Sequence, residues 1–522
     1  MQNYILTKRQ KGVRIQIVNA YKMTLCSDEL ISRRNMMELL NRKKTGKVER
    51  PVKVLQFGEG NFLRAFVDYM IDIANEQGKF NGDIVLVKPI EFGSLDRFHD
   101  QECQYTVQLR GIVDGEPKRI NRIVTSVADA VDAYGEYQKY ADYAKLDSLR
   151  YIVSNTTEAG IVYDDTDRLE MEPPKSYPGK LTKFLYERYK HFNGAMDKGL
   201  VMLPVELIDD NGIHLKECVE KLAVLWNLEE GFKTWLDEAC VFTSTLVDRI
   251  VTGYPRDDAE ELWKEFGYQD NIVVTAEPFG LWVIESSKDI SKELPLPEAG
   301  LPVIFTDNQK PYKQRKVRIL NGAHTSFVLA SYLAGNDYVR ESMEDELIGN
   351  FMHQTIYDEV IPTLDLPKED LLEFASAVDG RFRNPYIKHA LLSISLNSVS
   401  KWRARCMPSL LGYVERKGEL PKHLTFSIAA LMAFYTGSEI RDKALIGHRN
   451  GQEYNIMDDM AVLEFFAANS SKPSAEFVNA YLSNENFHGQ DLTKVAGLSD
   501  AVTAYLEDIR TLGMRKAIEK NF

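Results

Sequence analysis

Three side chains suited to acid–base and hydrogen-bond chemistry recur at short spacing in Lys316-Val-Arg-Ile-Leu-Asn321-Gly-Ala-His324. On an ideal helix, at about 100° per residue, Asn321 falls about 140° and His324 about 80° from Lys316, so all three can look into one cleft. A lysine whose ammonium is destabilised by burial can act as general base toward an alcohol or general acid toward a ketone. Asn321 can donate to a developing oxyanion, and His324 can orient a substrate oxygen. The competing reading makes Lys316 a solvated helix charge, Asn321 a cap and His324 a core residue. The small neighbours Gly322 and Ala323, which let another group approach this helix closely, favour the chemical reading.

Roughly 260 residues upstream lies Phe57-Gly58-Glu-Gly60-Asn61-Phe62-Leu-Arg64. It joins Val52–Phe57, which reads as a buried strand, to Phe62–Glu76, where Phe62, Phe66, Tyr69, Met70 and Ile73 follow helical spacing. Gly58 would supply a tight turn, Gly60 would let a pyrophosphate approach the backbone, and the helix start would offer N–H donors. Leu63 stands where a full dinucleotide fingerprint has its third glycine, so the turn alone is also compatible with a structural role. Its place between strand and helix points to a dinucleotide. Arg64 is either a phosphate ligand or half of a surface ion pair. The next strand, Asp83–Val87, runs into Lys88-Pro89 instead of the usual ribose-binding acid, which leaves NAD against NADP open. Asn155, Thr156 and Glu158, after a strand expected at Arg150–Ser154, fall on the cofactor side of the cleft; Thr156 and Glu158 could equally serve their own loop.

Positioning two such motifs takes two structural units, and 522 residues exceed one ordinary core. Strands are expected also at Tyr105–Arg110, Arg119–Val127 and Gly199–Val205, with helices at Leu181–Lys190 and His214–Trp226. This alternation implies an α/β fold with a mostly parallel, covered sheet. Residues 295–312 contain four prolines and read as an interdomain linker; from about Lys316 onward the chain reads as almost wholly helical. The expected division is an N-terminal extension at 1–50, an α/β dinucleotide-binding domain at 51–295 and a helical substrate and catalytic domain at 296–522. Met23 is a second candidate start.

Lys plus Arg number 64 against 77 Asp plus Glu, a net charge of −13. That balance argues against nucleic acid or an anionic membrane as partner. A small anion needs only a local cluster, and Lys401-Trp-Arg403-Ala-Arg405 supplies three cations in five residues, unless the run is a solvated helix face. Five cysteines without a CxxC pair suit a reducing cytoplasm and give no Cys-built metal site. No apolar run approaches the length of about 18 residues that a membrane helix needs.

The chain resembles the mannitol dehydrogenase family of polyol-specific long-chain dehydrogenases. The likeness rests on Gly58-x-Gly60-x-Phe62-x-Arg64, Asp248-Arg-Ile250, Glu277-Pro-Phe279 with Trp282-Val283, Lys316-x4-Asn321-x2-His324, and Arg381-Phe-x-Asn-Pro385 with His389. It implies a Rossmann-type domain followed by a helical domain, a metal-free active site between them, NAD(H) as cofactor, and Lys316, Asn321 and His324 as catalytic residues. Asp248 would bind a substrate hydroxyl or only cap a helix. Two departures bear on the substrate. Leu207 falls where polyol-oxidising relatives carry an asparagine of the oxyanion hole, and Lys313 replaces a carboxylate one turn before Lys316. Val153-Ser-Asn-Thr-Thr-Glu158-Ala-Gly160 and the segment ending at Ile208 resemble the branch that interconverts D-tagaturonate and D-altronate. The expected partner is therefore a small hexuronate or aldonate, its carboxylate on Lys401, Arg403 or Arg405. Related alternatives are a fructuronate reductase or a neutral-polyol dehydrogenase; a non-catalytic sugar-acid or dinucleotide sensor is the alternative from another class.

Overall fold

The computed structural model describes residues 37–157 and 159–522. Met23, most of the 1–50 extension and Glu158 lie outside the described residues. The first unit is built on six strands: β1 (Val52–Phe57), β2 (Asp83–Lys88), β3 (Val127–Asp132), β4 (Tyr151–Ser154), β5 (Val201–Pro204) and β6 (Val241–Phe242). They form one parallel sheet in the order β3-β2-β1-β4-β5-β6. β2, β4 and β5 are buried along their whole length, as expected of a sheet covered on both faces. Phe66, Met70 and Val153 belong to the core on one side, and Phe57, Phe184 and Trp235 to that on the other. The order reverses between β1 and β4, which opens a crevice at the strand ends, the usual ligand position in such sheets.

Two expected strands belong elsewhere. Tyr105–Val113 pairs antiparallel with Glu116–Val124 in a separate four-stranded sheet with Val251–Gly253 and Val274–Ala276. Asp114 and Gly115 both take positive φ, 55° and 79°, and close this hairpin with a two-residue turn. The stretch expected as one strand over Arg119–Val127 breaks after Val124, because Thr125 N–H and the Ser126 hydroxyl donate to Asp72 Oδ1 at 2.8 and 2.9 Å.

The proline-rich segment is not a free tether. Val303–Thr306 pairs parallel with Leu281–Glu285, which pairs antiparallel with Ser244–Asp248. Beyond it the chain is mainly helical, but not wholly: Ile440–Arg441, Ala444–Arg449 and Gln452–Ile456 form a three-stranded antiparallel sheet. Asn450-Gly451, a strong hairpin signal, turns its last pair. The helix Gly322–Ala334 runs through the helical core, packed on Lys422–Phe434, Leu391–Ile394 and Ser398–Arg405. Immediately before it, Lys316–Asn321 forms a π-helical turn that continues Lys310–Arg315.

Candidate active site

The glycine turn is held against β2 by Gly58 N–H donating to the Val87 carbonyl at 2.9 Å. Gly58 has φ +117°, and a Cβ there would meet the Asn155 carbonyl oxygen at 3.2 Å, so the turn requires glycine. A Cβ on Gly60 would meet nothing within 4 Å, which leaves the approach a pyrophosphate needs. Arg64 does not face that space. It is buried, donating from Nε to the Glu59 carbonyl at 3.1 Å, from Nη2 to Asn61 Oδ1 at 2.7 Å and from Nη1 to the Ile272 carbonyl. Its guanidinium lies 5.4 and 5.2 Å from the ring centres of Phe98 and Tyr105. Arg64 therefore braces the turn from within, being neither a phosphate ligand nor a surface ion pair, and Asn61 commits its carbonyl oxygen to the same brace.

At the strand ends opens a cavity of about 630 Å³, lined among others by Phe62, Asn155, Thr157, Val205, Leu207 and Lys316. Phe62 stacks on Phe66 at 5.0 Å. Asn155 lines this cavity, but Thr156 turns away from it. Its N–H and hydroxyl donate to Glu206 Oε1 at 2.9 and 3.0 Å, while Ser154 donates to Oε2 at 3.1 Å. Burial pushes the Glu206 carboxyl up. Thr156 thus ties the loops after β4 and β5 together, and Thr157, with φ +70°, is presented to the cavity instead.

A second cavity, of about 370 Å³, is lined by Asp248, Lys316, Asn321, His324, His389, Lys401 and Arg405. Lys316 and Asp248 line both cavities and so stand where they meet. The projection from an ideal helix needs correction here. In a π turn i→i+5 bonding stacks residues five apart, which sets Asn321 next to Lys316 along the helix. Lys316 Nζ donates to the Val247 carbonyl at 2.8 Å and lies 3.9 Å from Asp248 Oδ1. Burial lowers its pKa, against the opposing pull of Asp248.

Asp248 ends its strand and caps no helix. Both its oxygens accept from Arg381, at 2.9 and 3.1 Å. The same guanidinium binds Glu277 at 2.8 and 2.9 Å and lies 4.3 Å from the Phe279 ring centre. Burial pushes the Glu277 carboxyl up, opposed by Arg381. Asp248 and Glu277 thus share one guanidinium, and Asp248 also faces Lys316. The sequence contained Arg381 and Glu277 in its motifs without indicating this role.

His324 stacks on Phe382 at 4.2 Å, edge-on to His389 at 5.4 Å, and its Nε2 has no partner among the described residues. Burial, reinforced by His389, Arg381, Arg405 and Lys401, holds its pKa well below the usual value, so the imidazole is neutral and free to bond a hydroxyl. Lys401 Nζ donates to the Ile394 carbonyl at 3.0 Å, and Arg405 Nη1 to the Thr325 hydroxyl at 3.2 Å. Neither makes an ion pair among the described residues, and burial lowers both pKa values. Arg403 is exposed and lies against Gly489, away from the cavity. The reason is helical spacing: residues 401 and 405 share a face, whereas 403 lies on the opposite one. Leu207, 65% exposed, offers no donor at the mouth of the first cavity. Lys313 pairs with Asp209 Oδ1 at 2.5 Å.

Residues 52–298 match the mannitol dehydrogenase Rossmann domain and residues 308–510 the mannitol dehydrogenase C-terminal domain. An altronate oxidoreductase of Yersinia pestis bv. Antiqua (strain Nepal516) is 46% identical over 489 residues, 92% of this chain and 99% of the relative. One of Pectobacterium atrosepticum is 47% identical over 490 residues, with the same coverage. Among solved structures, a substrate-free D-sorbitol dehydrogenase superposes with a TM-score of 0.73 at 20% identity, covering 92% of this chain and 100% of the other. The Pseudomonas fluorescens mannitol 2-dehydrogenase ternary complex with NAD and D-mannitol does so with a TM-score of 0.62 at 22% identity, covering 93% and 99%. Matched across both domains and along nearly the whole length of these relatives, the chain belongs to the mannitol dehydrogenase family.

Proposed function

We propose that this protein is an NAD(H)-dependent oxidoreductase that interconverts D-tagaturonate and D-altronate in hexuronate catabolism in the cytoplasm. The observation that carries the reading is the pair Lys401 and Arg405, two cations without a carboxylate partner among the described residues, in the cavity that ends at Lys316. The curated relatives named altronate oxidoreductase support the same substrate. The residues at the glycine turn fit a dinucleotide: Gly60 faces open space, and Phe62, Asn155 and Thr157 line the cavity beside it. When bound, its nicotinamide supplies or accepts the hydride. Lys401 and Arg405 hold the substrate carboxylate, which fixes the keto group toward Lys316 and Asn321. Asn321 donates to the developing oxyanion, Lys316 gives it a proton, and neutral His324 bonds a neighbouring hydroxyl. Leu207 cannot share the oxyanion, so Asn321 carries that task. The direct test is product analysis: altronate and NAD⁺ should yield tagaturonate, and absence of any keto product would overturn the reading.

Two predictions follow from this arrangement. Arg405→Gln should lower kcat/KM for tagaturonate about 10–100-fold, the worth of one charged hydrogen bond, and leave turnover of a neutral ketose almost unchanged. Equal losses on both substrates would remove Arg405 from carboxylate binding. The second concerns pH. Reduction needs the Lys316 ammonium and oxidation the neutral amine. Because burial lowers this pKa, reduction should fall and oxidation rise as pH increases through a value below that of free lysine. Paired pH profiles of kcat/KM check it, and parallel trends in the two directions would contradict it.

A further inference from the structure

Resting on the reading of a nicotinamide dinucleotide over the glycine turn, we propose that the ion pair between Lys88 and Asp132 is a coenzyme-discriminating device. By withdrawing the lysine that ends β2, it leaves carboxylates to face the adenosine ribose and so rejects a 2′-phosphate.

β2 ends at Lys88, at the position where dinucleotide-binding sheets commonly place the acid that receives the ribose hydroxyls. An outward lysine there would suit a 2′-phosphate. This one turns inward, with its side chain only 1% exposed. Its ammonium donates to the carbonyls of Ile90, Glu91 and Phe92 at 2.8, 3.3 and 3.3 Å and lies 3.1 Å from Asp132 Oδ2. Four acceptors saturate three N–H donors. Lys88 and Asp132 are register partners on neighbouring strands, so their side chains share a face of the sheet. Asp132 is the outer member of the pair, with its side chain 28% exposed. Its Oδ1 accepts from Tyr134 N–H at 2.9 Å, which fixes the carboxylate.

Glu59, the residue between the two glycines, feels both Lys88 and Asp132, although burial dominates its pKa and pushes it up. The rim beside the glycine turn therefore carries two carboxyl groups against one sequestered ammonium. Hydroxyls can donate to such a rim; a doubly charged phosphate meets repulsion. The same lysine staples the loop that leaves Ile90 and Phe92 exposed at 56% and 79%, apolar surface of the kind a purine face covers.

The test is coenzyme binding without substrate, by titrating the protein's intrinsic fluorescence with NADH and with NADPH. The wild-type chain should bind NADH at least tenfold more tightly than NADPH. Asp132→Asn, which keeps the shape but removes the carboxylate charge that compensates Lys88, should tighten NADPH at least tenfold. Adding Lys88→Met to it should abolish that gain. Glu59→Gln, which leaves the ion pair intact, should narrow the ratio in the same direction and serves if Asp132→Asn does not fold. Equal wild-type affinities, or variants that fold and leave the ratio unchanged, would overturn the inference. Either result leaves the hexuronate reading standing, because that reading is tested by products.

Discussion

Lys316→Ala should lower kcat for tagaturonate reduction by about 10²–10⁴-fold, the usual worth of a positioned general acid, while KM changes little. Among the described residues the side chain is the only ammonium where the two cavities meet, anchored by the Val247 carbonyl at 2.8 Å and facing Asp248 at 3.9 Å. That anchorage fixes where the proton is delivered, and burial lowers its pKa, which makes the proton easier to give up. The fold should survive the substitution, because Asp248 keeps both of its bonds to Arg381. The variant should also lose the opposed pH trends of the two directions. Near-full turnover would remove Lys316 from the chemistry.

Arg381→Leu should destabilise the protein by about 3–5 kcal/mol, because removing one partner strands buried charge. Asp248 and Glu277 are 7% and 1% exposed, and each gives both oxygens to this one guanidinium. Without it Asp248 is left with the Lys316 ammonium at 3.9 Å and Glu277 with the Ile250 N–H at 2.6 Å. Their pKa values in the folded variant would rise above the unfolded values, so the deficit should be largest at neutral and alkaline pH and shrink as pH falls and they take up protons. Chemical denaturation across pH measures both effects. A loss under about 1 kcal/mol at neutral pH would show that solvent, not Arg381, satisfies the carboxylates.

How far the sequence reached depended on how local each signal was. The run from Val52 to Phe57, the glycine turn and the apolar spacing to Ile73 are local, and they fold as read except that Arg64–Asp68 makes a π-helical turn within the helix. The four-stranded sheet was missed because it pairs residues far apart, Val274 with Val107 for example, and its Asp114-Gly115 turn went unread. Asn450-Gly451 marked the second missed sheet in the same way. Arg64 and Thr156 show a different limit. Residue type tells that a side chain can bind phosphate, but its direction is set by acceptors such as the Ile272 carbonyl and Glu206, which lie distant in sequence. Arg381 meets its carboxylates across sequence separations of 104 and 133 residues, beyond the reach of any spacing rule. The π turn at Lys316 breaks the 100° rule on which the projection of Asn321 relied. Arg403, by contrast, could have been set aside at once, since helical spacing puts it opposite Lys401 and Arg405.

The cavity joining Lys401 and Arg405 to Lys316 suits an acidic keto sugar. The most direct measurement is kcat/KM for NADH-dependent reduction of D-tagaturonate, D-fructuronate and D-fructose under one set of conditions. D-Tagaturonate should lead, and D-fructose should trail it by at least a hundredfold. D-fructose reduced as well as D-tagaturonate would contradict it.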